Sequence, residues 1–246
     1  MAKEQLKHLL VNRGLASSEE EAMRLIISKD VKVGDEFVTS PGAKFNSTCE
    51  IKLKETCPYV SRGGIKLKGA IDYFNLSICE KNCLDIGSST GGFSDCLLQE
   101  GARLAACVDV NYGQLAWKVR SDERSAVFER TNIKNADPAL LGAPFDLIAI
   151  DVSFIGLASL APVIKKFAFS PATGKTELIA LIKPEFEADV SENEGGLVAD
   201  EAVHERTISE VCEALTRQEF DVIDVAESPI RGKKKGNKEF LLYAKH

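Results

Sequence analysis

Four apolar runs in this chain each close on a charged side chain, and no other feature restricts the fold as much. "CLDIG" carries Asp85, "LAACVDV" ends in Asp109, "FDLIAIDVSF" reaches Asp151, and "LIALIKPEF" reaches Lys183 directly before Pro184. Helical periodicity separates them, with helices expected at 65–74, 93–100, 113–120 and 156–167. Strands are expected at 104–109, 126–129, 146–151 and 177–183. A helix at 201–217 and strands at 220–227 and 238–244 complete the pattern. Strands alternating with helices predict an α/β fold, a doubly wound, mostly parallel sheet. In such a sheet ligands sit beyond the carboxyl ends of the strands, so four charges there mark a cleft. Pro184 lacks an N–H and has a fixed φ, so the chain is expected to leave the sheet just after Lys183.

The first of these runs leads into a glycine loop, "CLDIGSSTGGF", with Gly87, Gly91 and Gly92. Glycines at a strand-to-helix turn let backbone approach a ligand and bring a helix N-terminus beside it. The spacing G-x-x-x-G-G is neither the dinucleotide fingerprint nor a phosphate-cradling loop ending in Lys-Ser/Thr. About twenty residues on, Asp109 stands where a carboxylate accepts hydrogen bonds from ribose hydroxyls. An adenosine-containing ligand with no pyrophosphate to cradle satisfies both features, and S-adenosylmethionine fits.

The first 56 residues have a different pattern. "KEQLKHLLVN" puts Leu6, Leu9 and Leu10 on one helical face, and Ser18 with Glu21 has capping-box spacing before a second helix with Ala22, Leu25 and Ile26. Short β runs follow in "VKVGDEFV" and "CEIKLKE". This module, 1–56, carries nine Lys and Arg against nine Asp and Glu. "TCPYVSRGG" reads as a linker, placed at 57–64, with the large domain at 65–246.

The net charge of −6 over 246 residues excludes a general polyanion binder, so any RNA must meet local basic patches. No segment reads as a signal peptide or a bilayer span, and a cytoplasmic protein is expected. Seven cysteines without a CxxC pair, and only three histidines, predict reduced thiols and no metal site. No histidine is placed for base chemistry. A lysine beside a carboxylate and a positively charged cofactor can have its pKa lowered toward neutrality and take a hydroxyl proton, which makes Lys183 the candidate base.

The phrases "YVSRGGIKLKGAI", "CLDIGSSTGGFSDCLLQEGA", "VDVNYGQLAWKVRSDERSAVFERTNI", "DVSFIGL", "LIKPEFE" and "GNKEFLLY" resemble the TlyA (hemolysin A) family across essentially the whole chain. Its members resemble FtsJ-type ribose 2′-O-methyltransferases acting on ribosomal RNA. The resemblance implies a Rossmann-like methyltransferase domain behind an N-terminal RNA-binding domain like that of a ribosomal small-subunit protein. It implies a Lys-Asp-Lys-Glu catalytic set at Lys66, Asp151, Lys183 and Glu239. Lys68 competes for the first place, but the "SRGxxKL" phrase favours Lys66. Lys183 would be the general base, oriented with the target hydroxyl by the other three. The implied cofactor positions are Asp85, Gly87, Ser88, Gly91, Gly92, Phe93, Asp109, Asn132, Ile133 and Asp151.

Basic residues sit where RNA is expected to lie: Arg62 and Lys68 before the catalytic domain, and Arg231, Lys233, Lys234 and Lys235 before Glu239. Lys3, Lys7, Arg13 and Arg24 would polarise the N-terminal module. The partner implied is ribosomal RNA or a ribosomal subunit, 23S and/or 16S. Relatives that modify both subunits look longer at their ends, so the resemblance favours a large-subunit target. Monomer and weak dimer both remain open. Two other readings, a membrane-lytic hemolysin and a non-catalytic RNA-binding assembly factor, conflict with the absence of any lysin-like helix and with the complete catalytic set.

Overall fold

The computed structural model describes residues 3–54, 57–168, 175–233 and 235–246. It divides into two compact units, Met1–Cys57 and Pro58–His246. Most of the stretch expected as a linker, 57–64, therefore belongs to the second unit. The Val60 N–H donates to Asp95 at 2.8 Å and Gln99 donates to the Pro58 carbonyl at 3.1 Å. A Cβ at Gly64 would lie 2.2 Å from the Tyr59 ring, so this glycine serves close packing rather than looseness.

In the first unit, β1 (Lys3–Gln5) leads into α1 (Leu6–Asn12), then α2 (Glu19–Ile27), β2 (Val31–Val33), β3 (Glu36–Phe37), β4 (Lys44–Asn46) and β5 (Ile51–Leu53). The helix expected from residue 3 starts only at Leu6, because Lys3–Gln5 pair antiparallel with β4. Leu6, Leu10, Ala22 and Ile26 are buried together, as their 3.6-residue spacing requires. Ser18 caps α2 by accepting from the Glu21 N–H at 3.2 Å, while the Glu21 carboxylate takes the Ser17 N–H at 2.7 Å.

The second unit runs α3 (Gly63–Tyr73), β6 (Asn82–Ile86), α4 (Gly92–Gln99), β7 (Leu104–Val108), α5 (Trp117–Arg120), β8 (Ser125–Phe128) and α6 (Pro138–Leu141). It continues with β9 (Leu147–Ile150), α7 (Leu157–Ala168), β10 (Glu177–Ile182), α8 (Pro184–Glu187), α9 (Glu201–Thr216), β11 (Asp221–Glu227) and β12 (Phe240–Lys245). The strands form one sheet in the order β11-β12-β10-β9-β6-β7-β8, with β12 alone running against the rest.

Strand residues alternate between two cores. Leu84, Ile148, Ile150 and Ile182 face α7 and α9, whereas Cys83, Leu147, Ala149 and Ile179 face α3 and α4. Burying both faces explains the nearly unbroken apolar runs. Each fully buried Leu or Ile contributes about 1.5–3 kcal/mol. The order reverses at β6, whose neighbours are β7 on one side and β9 on the other, and the crevice opens beyond that reversal. Among the described residues, no helix is long and apolar enough to cross a membrane.

Candidate active site

The reversal places Gly87 against Asp151. Gly87 has φ +86°, and a Cβ there would stand 2.4 Å from the Asp151 carbonyl oxygen, so only glycine fits. Its N–H and that of Ser88 both donate to the Val108 carbonyl, at 2.9 and 3.1 Å, which folds the loop over the end of β7. The Asp109 carboxylate then accepts the Ser89 and Asn111 N–H groups at 2.8 and 2.7 Å. These contacts frame a cavity of about 450 Å³ lined by Gly87, Asp109, Asn132, Ile133 and Asp151 among the expected residues.

The other expected cofactor residues lie behind this wall. Gly91 packs beneath Leu115 and Val119, and a Cβ at Gly92 would meet the Ser61 Oγ at 2.2 Å and the Gly64 nitrogen at 3.0 Å. Both glycines allow a close approach of neighbouring elements. Phe93 is buried in the α3–α4 core. Ser88 is buried too, and Asp85 is wholly enclosed, accepting from the Ser94 hydroxyl at 2.5 Å. Burial pushes the Asp85 carboxyl up to about 7, against the pull of the Ser94 hydroxyl.

Sequence reasoning missed Ser89, Asn111, Gln114, Thr131, Lys134 and the segment 152–155, all of which line the cavity. They lie in loops, apart from Lys134 in a single 3-10 turn, and no local pattern marks them. The expected helix 113–120 begins only at Trp117, because the Ala116 N–H is tied to the Thr90 carbonyl at 3.1 Å and Gly113 turns at φ +72°.

A second cavity, also about 450 Å³, shares Ser153 and Phe154 with the first. Lys66, Lys183 and Glu239 line it, so the four residues expected to act together do converge on adjoining cavities. Lys183 and Asp151 form an ion pair at 2.5 Å, and Lys66 and Glu239 another at 2.5 Å. Lys183 also donates to the Val152 carbonyl at 2.9 Å and to the Ser153 hydroxyl at 3.2 Å.

Lys66, Lys183 and Glu239 are 8%, 8% and 3% exposed. Burial raises the Glu239 carboxyl above its usual range, and this outweighs the opposing pull of Lys66. Enclosing such charges costs desolvation energy, and a cluster of this kind beside a cavity is a candidate functional site. Lys68 pairs with Asp72 at 2.6 Å and Glu100 at 3.3 Å, whereas Lys66 lines the second cavity.

The basic residues expected at RNA divide into three groups. Lys233 and Lys235 are exposed and line the second cavity. Arg62 donates to the Arg231 carbonyl, joining the start of α3 to the loop before Glu239. In the first unit Lys7 pairs with Glu19, and Arg13 donates to the Ser47 and Cys49 carbonyls at 2.6 and 2.8 Å, a structural use of its guanidinium. Lys3 and Arg24 are exposed. Lys234 lies outside the described residues.

The first cavity suits an adenosine-bearing sulfonium by its donor set: apolar walls from Val108, Ile133 and Leu160, with carboxylates at Asp109 and Asp151. Fold and cavities together define a Rossmann-like methyltransferase. The sequence model of the FtsJ-like methyltransferases matches residues 59–246, and the chain belongs to that family.

The chain is 41% identical over 245 residues to a candidate rRNA methyltransferase, YqxC, of Bacillus subtilis, covering 98% of this chain and 85% of that protein. It is 35% identical over 237 residues to the 16S/23S rRNA (cytidine-2′-O)-methyltransferase TlyA of Mycobacterium tuberculosis, covering 95% and 87%. The solved structure of a candidate hemolysin from Streptococcus thermophilus superposes with a TM-score of 0.75 at 37% identity, covering 100% of this chain and 89% of that one.

Proposed function

We propose that this protein methylates a ribose 2′-hydroxyl of ribosomal RNA, 23S and/or 16S, with S-adenosylmethionine as donor. The observation that carries the reading is the junction of the two cavities. Asp151 lines the first, Lys183 lines the second, and they touch across the shared wall. S-adenosylmethionine, when bound, supplies an electrophilic methyl on a positively charged sulfur.

Gly87, Asp109, Asn132, Ile133 and Asp151 would hold the donor. Lys183 would act on the acceptor hydroxyl from the wall the two cavities share. As general base it would take the proton of the 2′-hydroxyl while the ribose oxygen takes the methyl, the S–CH3 bond breaks and the neutral thioether leaves. Asp151, Val152 and Ser153 fix the Lys183 nitrogen, and the Lys66–Glu239 pair lines the same acceptor cavity. Orientation of this sort replaces a random encounter and is worth several kcal/mol of barrier.

Lys233 and Lys235 would meet RNA phosphates. The first unit, with Lys3 and Arg24 exposed, would add a second contact to the same RNA. A lysine-lined acceptor cavity favours this reading over a cytolysin.

The test is incorporation of labelled methyl into purified ribosomal subunits, followed by alkaline hydrolysis. A 2′-O-methyl group protects the adjoining phosphodiester, so label is expected in alkali-resistant dinucleotides. Label confined to mononucleotides would contradict ribose methylation.

A further inference from the structure

The segment 152–158, which contributes Ser153 and Phe154 to both cavities, is held from outside at two places. Lys183 grips one side through the Val152 carbonyl and the Ser153 hydroxyl. Glu187 grips the other: its carboxylate accepts the Leu157 N–H, with the Ala158 N–H at 3.5 Å. Lys183 and Glu187 flank a single short turn, with Lys183 directly before α8 and Glu187 its last residue.

The helix α7 thus begins without a cap of its own. Residue 156, where Ser, Thr, Asp or Asn would normally supply one, is glycine. A Cβ at Gly156 would lie 2.7 Å from the Glu187 Oε2 and 3.1 Å from the Phe186 carbonyl, so the glycine leaves room for a carboxylate 31 residues away. Burial raises the Glu187 carboxyl above its usual range against the pull of both amides, so the site is not a cheap one. Between the two grips Phe154 is held at φ +68° and 83% exposed, with its ring 5.5 Å from that of Phe186. Such a backbone conformation persists only where its surroundings enforce it.

We infer that Glu187 is a positioning residue for methyl transfer, a remote cap on α7 that holds the wall between the donor and acceptor cavities and with it the oxygen partners of Lys183. This rests on the methyltransferase reading above. Glu187 touches no reacting atom and acts through residues 152–158. Its loss should leave the donor cavity able to bind but let the wall and the Lys183 nitrogen drift.

Two substitutions approach the contact from opposite sides. Glu187→Gln keeps the length but replaces the charged acceptor, and Gly156→Ala leaves Glu187 intact while displacing it. Each should lower kcat by about tenfold or more while KM and calorimetric Kd for S-adenosylmethionine stay within about twofold. Each should also speed amide hydrogen exchange at Leu157 and Ala158 by about tenfold, without general loss of protection in β9 and β10. The exchange readout needs no RNA, so it stays informative even if ribose methylation itself were disproved. Unchanged exchange at Leu157 and Ala158 in both variants would overturn the inference, as would activity that falls only in proportion to lost folded protein.

Discussion

Lys66 and Glu239 lie 2.5 Å apart although 173 positions separate them in sequence, one on the second turn of α3 and the other just before β12. The pair lines the acceptor cavity together with Lys183 and is almost wholly buried. Removing one partner leaves an unpaired buried charge, at a cost of about 3–5 kcal/mol. Lys66→Met should therefore lower the melting temperature more than the double variant Lys66→Met/Glu239→Gln. Denaturation of the two single and the double variants measures this, and additive losses would show that the pair is not coupled.

Gly87→Ala should be damaging out of proportion to one methyl group. The new Cβ would stand 2.4 Å from the Asp151 carbonyl at φ +86°, where an L side chain is strained. Strain of this kind costs about 1–3 kcal/mol. Because it falls at the mouth of the donor cavity, calorimetry should show S-adenosylmethionine affinity reduced by at least about tenfold, in contrast to the Glu187 and Gly156 variants.

Asp85 makes stability depend on pH. Its carboxyl is raised from 3.8 to about 7 in the folded chain, so the native state holds a proton that the unfolded chain has released. Between those two values stability falls as pH rises, and the loss is complete above about 7. Asp85→Asn keeps an acceptor for the Ser94 hydroxyl and removes the titration. Its melting temperature, compared with that of the unmodified chain, should gain from pH 5 to about pH 7 and level off above it. A gain that is the same at every pH would show that Asp85 does not titrate there.

Much of this fold was legible because its strands are buried on both faces and stop at charged residues. Asp109, Asp151 and Lys183 lie just past β7, β9 and β10, at the edge the apolar runs implied. The cavity walls were not legible in the same way. Ser153, Phe154 and Gln114 are loop residues whose placement follows from long-range contacts such as Ala116 to Thr90 and Lys183 to Val152. Pro184 does end the strand, but it then starts α8, since proline is well suited to the first turn of a helix. The packing role of the glycines at 91 and 92 was not legible from their spacing. Their close neighbours, Leu115 and Ser61, come from other elements, and no local pattern announces them.

The first unit is expected to supply RNA affinity and not catalysis. A chain lacking residues 1–57 should bind S-adenosylmethionine as the whole protein does, while its affinity for ribosomal subunits falls and depends less steeply on salt. Filter binding across a salt series measures this. An unchanged affinity and slope would assign RNA recognition to the second unit alone.

The central claim is that Lys183, held by Asp151, takes the proton of a ribose 2′-hydroxyl. It is tested most directly by mapping ribose methylation in ribosomal RNA treated with the purified protein or with its Lys183→Ala variant, and measuring S-adenosylmethionine binding to both. The unmodified protein should add a 2′-O-methyl group. The variant should transfer methyl about 10²–10⁴-fold more slowly while binding the donor within a few-fold. Methylation by Lys183→Ala at an undiminished rate would contradict the account.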